Sequence, residues 1–122
     1  EYFRKAERAL IEDLAAAEGD MIISTGGGAP TWADNMEYMN RMGECVYLRR
    51  TAQQIASRLS PNGRQKRPKL RGLNDEGLVA FMTTNMAERE PFYSKAKHVV
   101  DCVERSDAEI INIILSYLKG NE

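Results

Sequence analysis

Apolar side chains recur three and four residues apart at Phe3, Ala6, Leu10 and Leu14, the spacing of one face of a helix. Glu18-Gly19-Asp20 ends that run, and Met21-Ile22-Ile23 follows as an unbroken apolar stretch that predicts a buried strand to Ser24. Thr31 to about Met42 reads as a helix with Asp34 as its cap and Met36 and Met39 on one face, and Gly43 ends it. Cys45-Val46-Tyr47-Leu48 predicts a second buried strand. Thr51 then caps a helix to about Leu59, with Ile55 and Leu59 turned inward. Residues 60–74 are polar and carry Pro61, Gly63, Pro68 and Gly72, the composition of a surface loop. Asp75 opens a long helix through Leu78, Phe81, Met82, Met86 and Arg89, with Pro91 bending or interrupting it. His98 to Val103 is the third predicted strand, with His98 at its head facing solvent. Ser106 caps the last helix, Glu109 stands at the capping-box position, and Ile110, Ile114 and Leu118 turn inward.

Helices alternate with short strands that are apolar throughout. That order predicts an α/β fold in three layers, a parallel sheet with helices on both faces. Only three strands are expected, and the chain opens in mid-helix without a cap. The expectation is therefore that residues 1–122 form the C-terminal portion of one larger domain whose N-terminal strands lie outside this chain. The alternative is a small domain that manages with three strands.

Composition narrows the classes of function. The chain has 122 residues, 43 % of them hydrophobic, and 17 basic side chains against 18 acidic ones leave a formal charge of −1. Such a balance gives no global field to draw nucleic acid or an anionic membrane. No apolar run approaches the roughly 20 residues of a membrane span. Cys45 and Cys102 lie far apart inside apolar runs, without a CxxC spacing, and read as reduced core thiols of a cytoplasmic protein. His98 has no carboxylate or cysteine at ligand spacing, and no metal site is expected within the chain.

Candidate chemistry begins at "STGGGAP", Ser24 to Pro30. In open α/β sheets, ligands bind beyond the carboxyl ends of the strands. Gly26, Gly27 and Gly28 strip side chains from such an end, so a ligand can lie against backbone N–H groups. A tight turn that binds nothing accounts for the glycines equally well. The loop "GRQKRPKLRG" carries Arg64, Lys66, Arg67, Lys69 and Arg71. A charge run of this kind is ordinarily a solvated surface, but between two helices it also suits a lid closing over an anion. Arg4 in "YFRKAE" and Arg89 in "AEREPFY" each read alone as exposed helix charges.

Taken in order and at these separations, "EYFRKAER", "STGGGAP", "RPKL" and "AEREPFY" closely resemble the shikimate kinase family, over essentially the whole chain. The resemblance implies a P-loop kinase fold and transfer of the γ-phosphoryl group of ATP to the 3-hydroxyl of shikimate, on the route to chorismate and the aromatic amino acids. It implies that Arg4 and Arg89 grip the shikimate carboxylate, that Phe3 lies against the ring, and that Glu7 orients Arg4. Gly26, Gly27 and Gly28 correspond to the glycine motif beside the ring. Arg67 corresponds to the lid arginine, catalytic and in contact with ATP phosphates, in a lid at about 60–74. Arg58 and Arg105 correspond to residues near the nucleotide. "RPKL" departs from the family's usual "RPLL" and places Lys69 where an apolar residue is common.

No GxxxxGKS or GxxxxGKT motif occurs in the chain, so the phosphate cradle, its lysine and the hydroxyl that binds Mg²⁺ are missing from it. The family's early Asp-x-Asp segment is missing too. Both are expected upstream of Glu1, and the fragment alone is expected to be inactive. The expected partners are shikimate and ATP, with no nucleic acid and no membrane, and the full-length protein is expected to be a monomer. The alternative is a non-catalytic or truncated P-loop-kinase-like domain that binds a small carboxylate or a partner.

Overall fold

The computed structural model describes residues 1–58 and 72–119. Among them the elements follow the order α1 (Tyr2–Ala16), a 3-10 turn (Ala29–Thr31), α2 (Asn35–Met42), β1 (Val46–Arg49), α3 (Ala52–Arg58), α4 (Asp75–Tyr93), β2 (His98–Asp101) and α5 (Asp107–Lys119). The two strands pair in parallel with Val46 opposite His98 and Leu48 opposite Val100. The ladder is extended at both ends, by the His98 N–H to the Cys45 carbonyl at 3.0 Å and the Cys102 N–H to the Arg49 carbonyl at 2.9 Å.

Alternation along a strand sends successive side chains to opposite faces, and each face of this sheet meets a helix. Val46, Val100 and Cys102 pack against Ile110, Ile113, Ile114 and Tyr117 of α5. Tyr47 and Arg49 point the other way and reach Glu90 of α4. The outcome is the expected α/β arrangement with a parallel sheet between helices. A second apolar cluster joins Ala56 of α3 to Leu78 of α4, flanked by Leu73, Val79, Phe81 and Met82.

The caps lie where the polar residues predict them. Thr51 and Gln54 form a reciprocal pair, the Gln54 N–H donating to Thr51 Oγ1 at 3.1 Å and the Thr51 N–H to Gln54 Oε1 at 2.9 Å. Ser106 and Glu109 do the same at the start of α5. Asn74 accepts from the Gly77 N–H at 2.7 Å and opens α4. Pro91 lies inside α4, which continues to Tyr93.

Other expectations change. Residues 21–24 form no strand, and Ile22 is fully exposed. A strand needs a neighbour to satisfy its backbone groups, and among the described residues β1 and β2 pair only with each other. On α1, Phe3 and Leu10 face outward, 66 % and 58 % exposed. The turned-in positions are Arg4, Glu7, Arg8, Ile11, Leu14 and Ala15, and Arg4, Glu7 and Arg8 make polar contacts there.

The helix predicted from Thr31 begins at Asn35, because the 3-10 turn and a left-handed Ala33 (φ 48°) interrupt it. Asp34 sits at its N-cap but makes no side-chain cap bond, since its carboxylate is taken by Arg8. Leu118 is exposed, and Ile113 and Tyr117 fill its expected place. His98 is largely covered, its ring stacked 4.3 Å from that of Tyr117. Cys45 and Cys102 are free thiols, and burial pushes the Cys45 thiol up. No helix among the described residues is long and apolar enough to cross a membrane.

Leu78 is fully buried between α3 and α4. Leu78→Ala is expected to lower stability by about 2–5 kcal/mol in urea unfolding, from lost burial and the cavity left behind.

Candidate active site

The three glycines lead into a tight turn. The Ala29 N–H donates to the Gly26 carbonyl at 3.1 Å and the Thr31 N–H to the Gly28 carbonyl at 3.0 Å. The Thr31 hydroxyl also donates to the Gly28 carbonyl, at 2.7 Å, and Pro30 supplies a fixed φ within the turn. Asn35, fully buried, donates through Nδ2 to the Ala29 carbonyl at 2.9 Å and accepts at Oδ1 from Arg8 Nη1 at 2.9 Å.

Arg8 also binds Asp34 at 2.5 Å and Glu12 at 3.0 Å, and its guanidinium lies 4.2 Å from the centre of the Tyr38 ring. The hydrogen bond from Arg8 holds the Asp34 carboxyl below its ordinary range. One arginine of α1 thus ties that helix to α2 and to the turn after the glycines.

Two further arginines close on the glycine arc. A Cβ placed on Gly27 would lie 2.5 Å from Arg89 Nη1 and 3.2 Å from the Tyr93 hydroxyl. On Gly28 it would lie 2.6 Å from Arg4 Cζ, and on Gly26 3.2 Å from Glu7 Oε2. The volume that side chains would fill at residues 27 and 28 is occupied by guanidinium groups, which is the physical need for glycine there. Arg4 Nη1 donates to Glu7 Oε1 at 2.7 Å, and Arg4 Cζ lies 5.2 Å from the Phe3 ring centre. The Tyr93 hydroxyl donates to the Gly27 carbonyl and stands 3.4 Å from Arg89 Nη1. Among the described residues Arg89 has no carboxylate partner. Two cations with a single carboxylate between them, beside bare backbone, suit a small anion with planar acceptor oxygens.

The structure therefore brings together Arg4, Glu7, Arg89 and Gly26 to Gly28, with Phe3 at the rim. It does not bring Arg58 or Arg105 to the arc. Arg58 ends α3 and lies 3.9 Å from Asp107, and Arg105 is exposed in the turn after β2. Arg67, and with it residues 60–71 of the expected lid, lies outside the described residues.

Sequence reasoning missed Tyr93, Arg8 and Asn35. Tyr93 follows Arg89 by four residues and Arg8 follows Arg4 by four, so helical spacing was the available signal. It also missed Tyr47, Arg49 and Glu90, which meet behind the arc. Glu90 Oε2 accepts from the Tyr47 hydroxyl at 2.6 Å, and Oε1 accepts from Arg49 Nη2 at 3.0 Å. Burial and the Glu90 carboxylate push the Tyr47 phenol up to about 12.

The family model for shikimate kinase matches residues 1–119. A shikimate kinase of Parabacteroides distasonis is 44 % identical over 101 residues, 83 % of this chain and 57 % of that protein. One of Phocaeicola vulgatus is 39 % identical over 117 residues, 96 % of this chain and 66 % of that protein. The crystal structure of shikimate kinase from Bacteroides thetaiotaomicron superposes with a TM-score of 0.78 at 36 % identity, covering 97 % of this chain and 66 % of that one. The chain thus spans between 57 % and 66 % of the length of these relatives.

The raised phenol carries a sign. Folding keeps Tyr47 protonated to about pH 12, whereas an unfolded tyrosine ionises near 10. The unfolded chain then binds fewer protons between those values, so stability is full below pH 10 and falls as pH rises toward 12. Thermal unfolding between pH 9 and 12 is expected to show this fall in the wild type and a shallower one in Tyr47→Phe.

Proposed function

The chain belongs to the shikimate kinase family, and on that premise we propose that this protein transfers the γ-phosphoryl group of ATP to the 3-hydroxyl of shikimate, on the route to chorismate. The observation that carries this reading is the convergence of Arg4 and Arg89 on Gly27 and Gly28. A planar guanidinium meets a carboxylate with two parallel N–H donors, which a lysine cannot do. In this scheme Arg4 and Arg89 hold the carboxylate of shikimate, Glu7 keeps the Arg4 fork in place, and the ring lies against Gly26 to Gly28 with Phe3 alongside. Tyr93 fixes the Gly27 carbonyl that backs the arc.

Holding the acid by its carboxylate sets the orientation of its hydroxyls. Phosphoryl transfer depends chiefly on such positioning and on positive charge around the transferred group. We assign that charge to Arg67 over the nucleotide phosphates, and Arg58 and Arg105 to the nucleotide side. Bound Mg²⁺ would neutralise phosphate charge. Among the described residues no group of three or more His, Cys, Asp or Glu side chains is placed to hold a metal ion. Free thiols at Cys45 and Cys102 suit a cytoplasmic protein.

For the full-length protein, a coupled assay of ADP release is expected to show turnover with shikimate, and turnover only with an unrelated alcohol would overturn the assignment. Arg89→Lys is expected to raise the shikimate KM about tenfold or more while the ATP KM changes little. Gly28→Ala, which drives a methyl group into Arg4, is expected to act in the same direction. Arg67→Ala is expected to lower kcat by roughly 10²-fold or more.

A further inference from the structure

We propose that the Glu90 carboxylate, gripped from β1 by Tyr47 and Arg49, is a positioning device that sets α4 so that Arg89 and Tyr93 face the glycine arc. The proposal rests on the reading of that arc as the acid-binding site. None of the three side chains is among the atoms nearest the glycines. They act one step behind, on the helix that carries two of the site's groups.

Helix geometry puts Arg89 and Tyr93, four residues apart, on one face, with Glu90 turned about 100° from Arg89. Both oxygens of Glu90 are engaged from the strand, by the Tyr47 hydroxyl at 2.6 Å and Arg49 Nη2 at 3.0 Å. The Tyr47 ring also leans against that of Tyr93, with centroids 5.2 Å apart and planes tilted by 59°. β1 therefore holds α4 at both residues that bracket its final turn.

The apolar core does not do this. The fully buried residue of α4 is Leu78, near its start, and Arg89 lies eleven residues further on, about 16 Å along the axis. Packing fixes the beginning of the helix, and the polar cluster fixes its end.

Stability alone gives little reason for the cluster. Arg49 and Glu90 are 42 % and 40 % exposed, the setting of ion pairs that contribute little. Arg49 Nε, in contrast, is buried without an acceptor among the described residues, an unfavourable arrangement. The arginine is kept for what its tip holds. There is a second consequence. With both oxygens committed to β1, Glu90 leaves the neighbouring Arg89 without a carboxylate and open to an anionic ligand.

The test uses the full-length protein, with shikimate binding by calorimetry, steady-state kinetics for both substrates and thermal unfolding. Glu90→Ala is expected to raise the shikimate Kd and KM about tenfold, with the ATP KM and the melting temperature nearly unchanged. Tyr47→Phe is expected to give a loss of about threefold, and Glu90→Gln, which keeps an acceptor for Tyr47, to recover most of the wild-type affinity. In an Arg89→Ala background, Glu90→Ala is expected to add well under its own tenfold loss, because most of its effect passes through Arg89. An unchanged shikimate KM in Glu90→Ala, an equal loss for both substrates, or full additivity with Arg89→Ala would overturn the positioning role alone. A wild-type protein that binds no shikimate would overturn the kinase reading, and this proposal with it.

Discussion

Guanidinium groups of Arg4 and Arg89 stand in the space that side chains at residues 27 and 28 would need, and the surrounding structure is arranged to keep them there. Two like charges brought to one short stretch of backbone repel each other, so the arrangement holds only if each is fixed from behind. Arg4 is fixed by Glu7, one helical turn along α1. Arg89 is steadied by the Tyr93 hydroxyl, which also holds the Gly27 carbonyl. The charge left over is what an acid ligand would satisfy.

Each helix that delivers an arginine is positioned by polar contacts more than by core. α1 has no buried residue, so its place is set by Arg8 reaching Asp34 and Asn35. Asn35 passes that constraint to the Ala29 carbonyl, directly after the glycines. α4 is packed at its start by Leu78 and tied at its end by Glu90 to β1. Directional bonds suit this task better than apolar packing, because they fix rotation as well as distance. Few of them need add much to stability, so the site and the core can be altered separately.

Much of this was legible in the sequence where the signal is local. Thr51 as a cap and Ser106 with Glu109 as a capping box are readable from spacing alone, and β1 and β2 are short apolar runs flanked by helices. The glycine arc and its two arginines were legible through four motifs in register. Residues 21–24 misled because an apolar run becomes a strand only beside a partner. The face of α1 misled because Arg8 and Glu7, not Phe3 and Leu10, make its contacts. Tyr47 and Glu90 are 43 residues apart, and no local pattern joins them. Such pairs become visible only when the fold has brought β1 and α4 together.

The most direct test of the account is a crystal structure of the full-length protein with shikimate bound. The account predicts the shikimate carboxylate within about 3 Å of guanidinium nitrogens of both Arg4 and Arg89, with the ring over Gly26 to Gly28. A carboxylate bound elsewhere, with either arginine turned away from the arc, would contradict it.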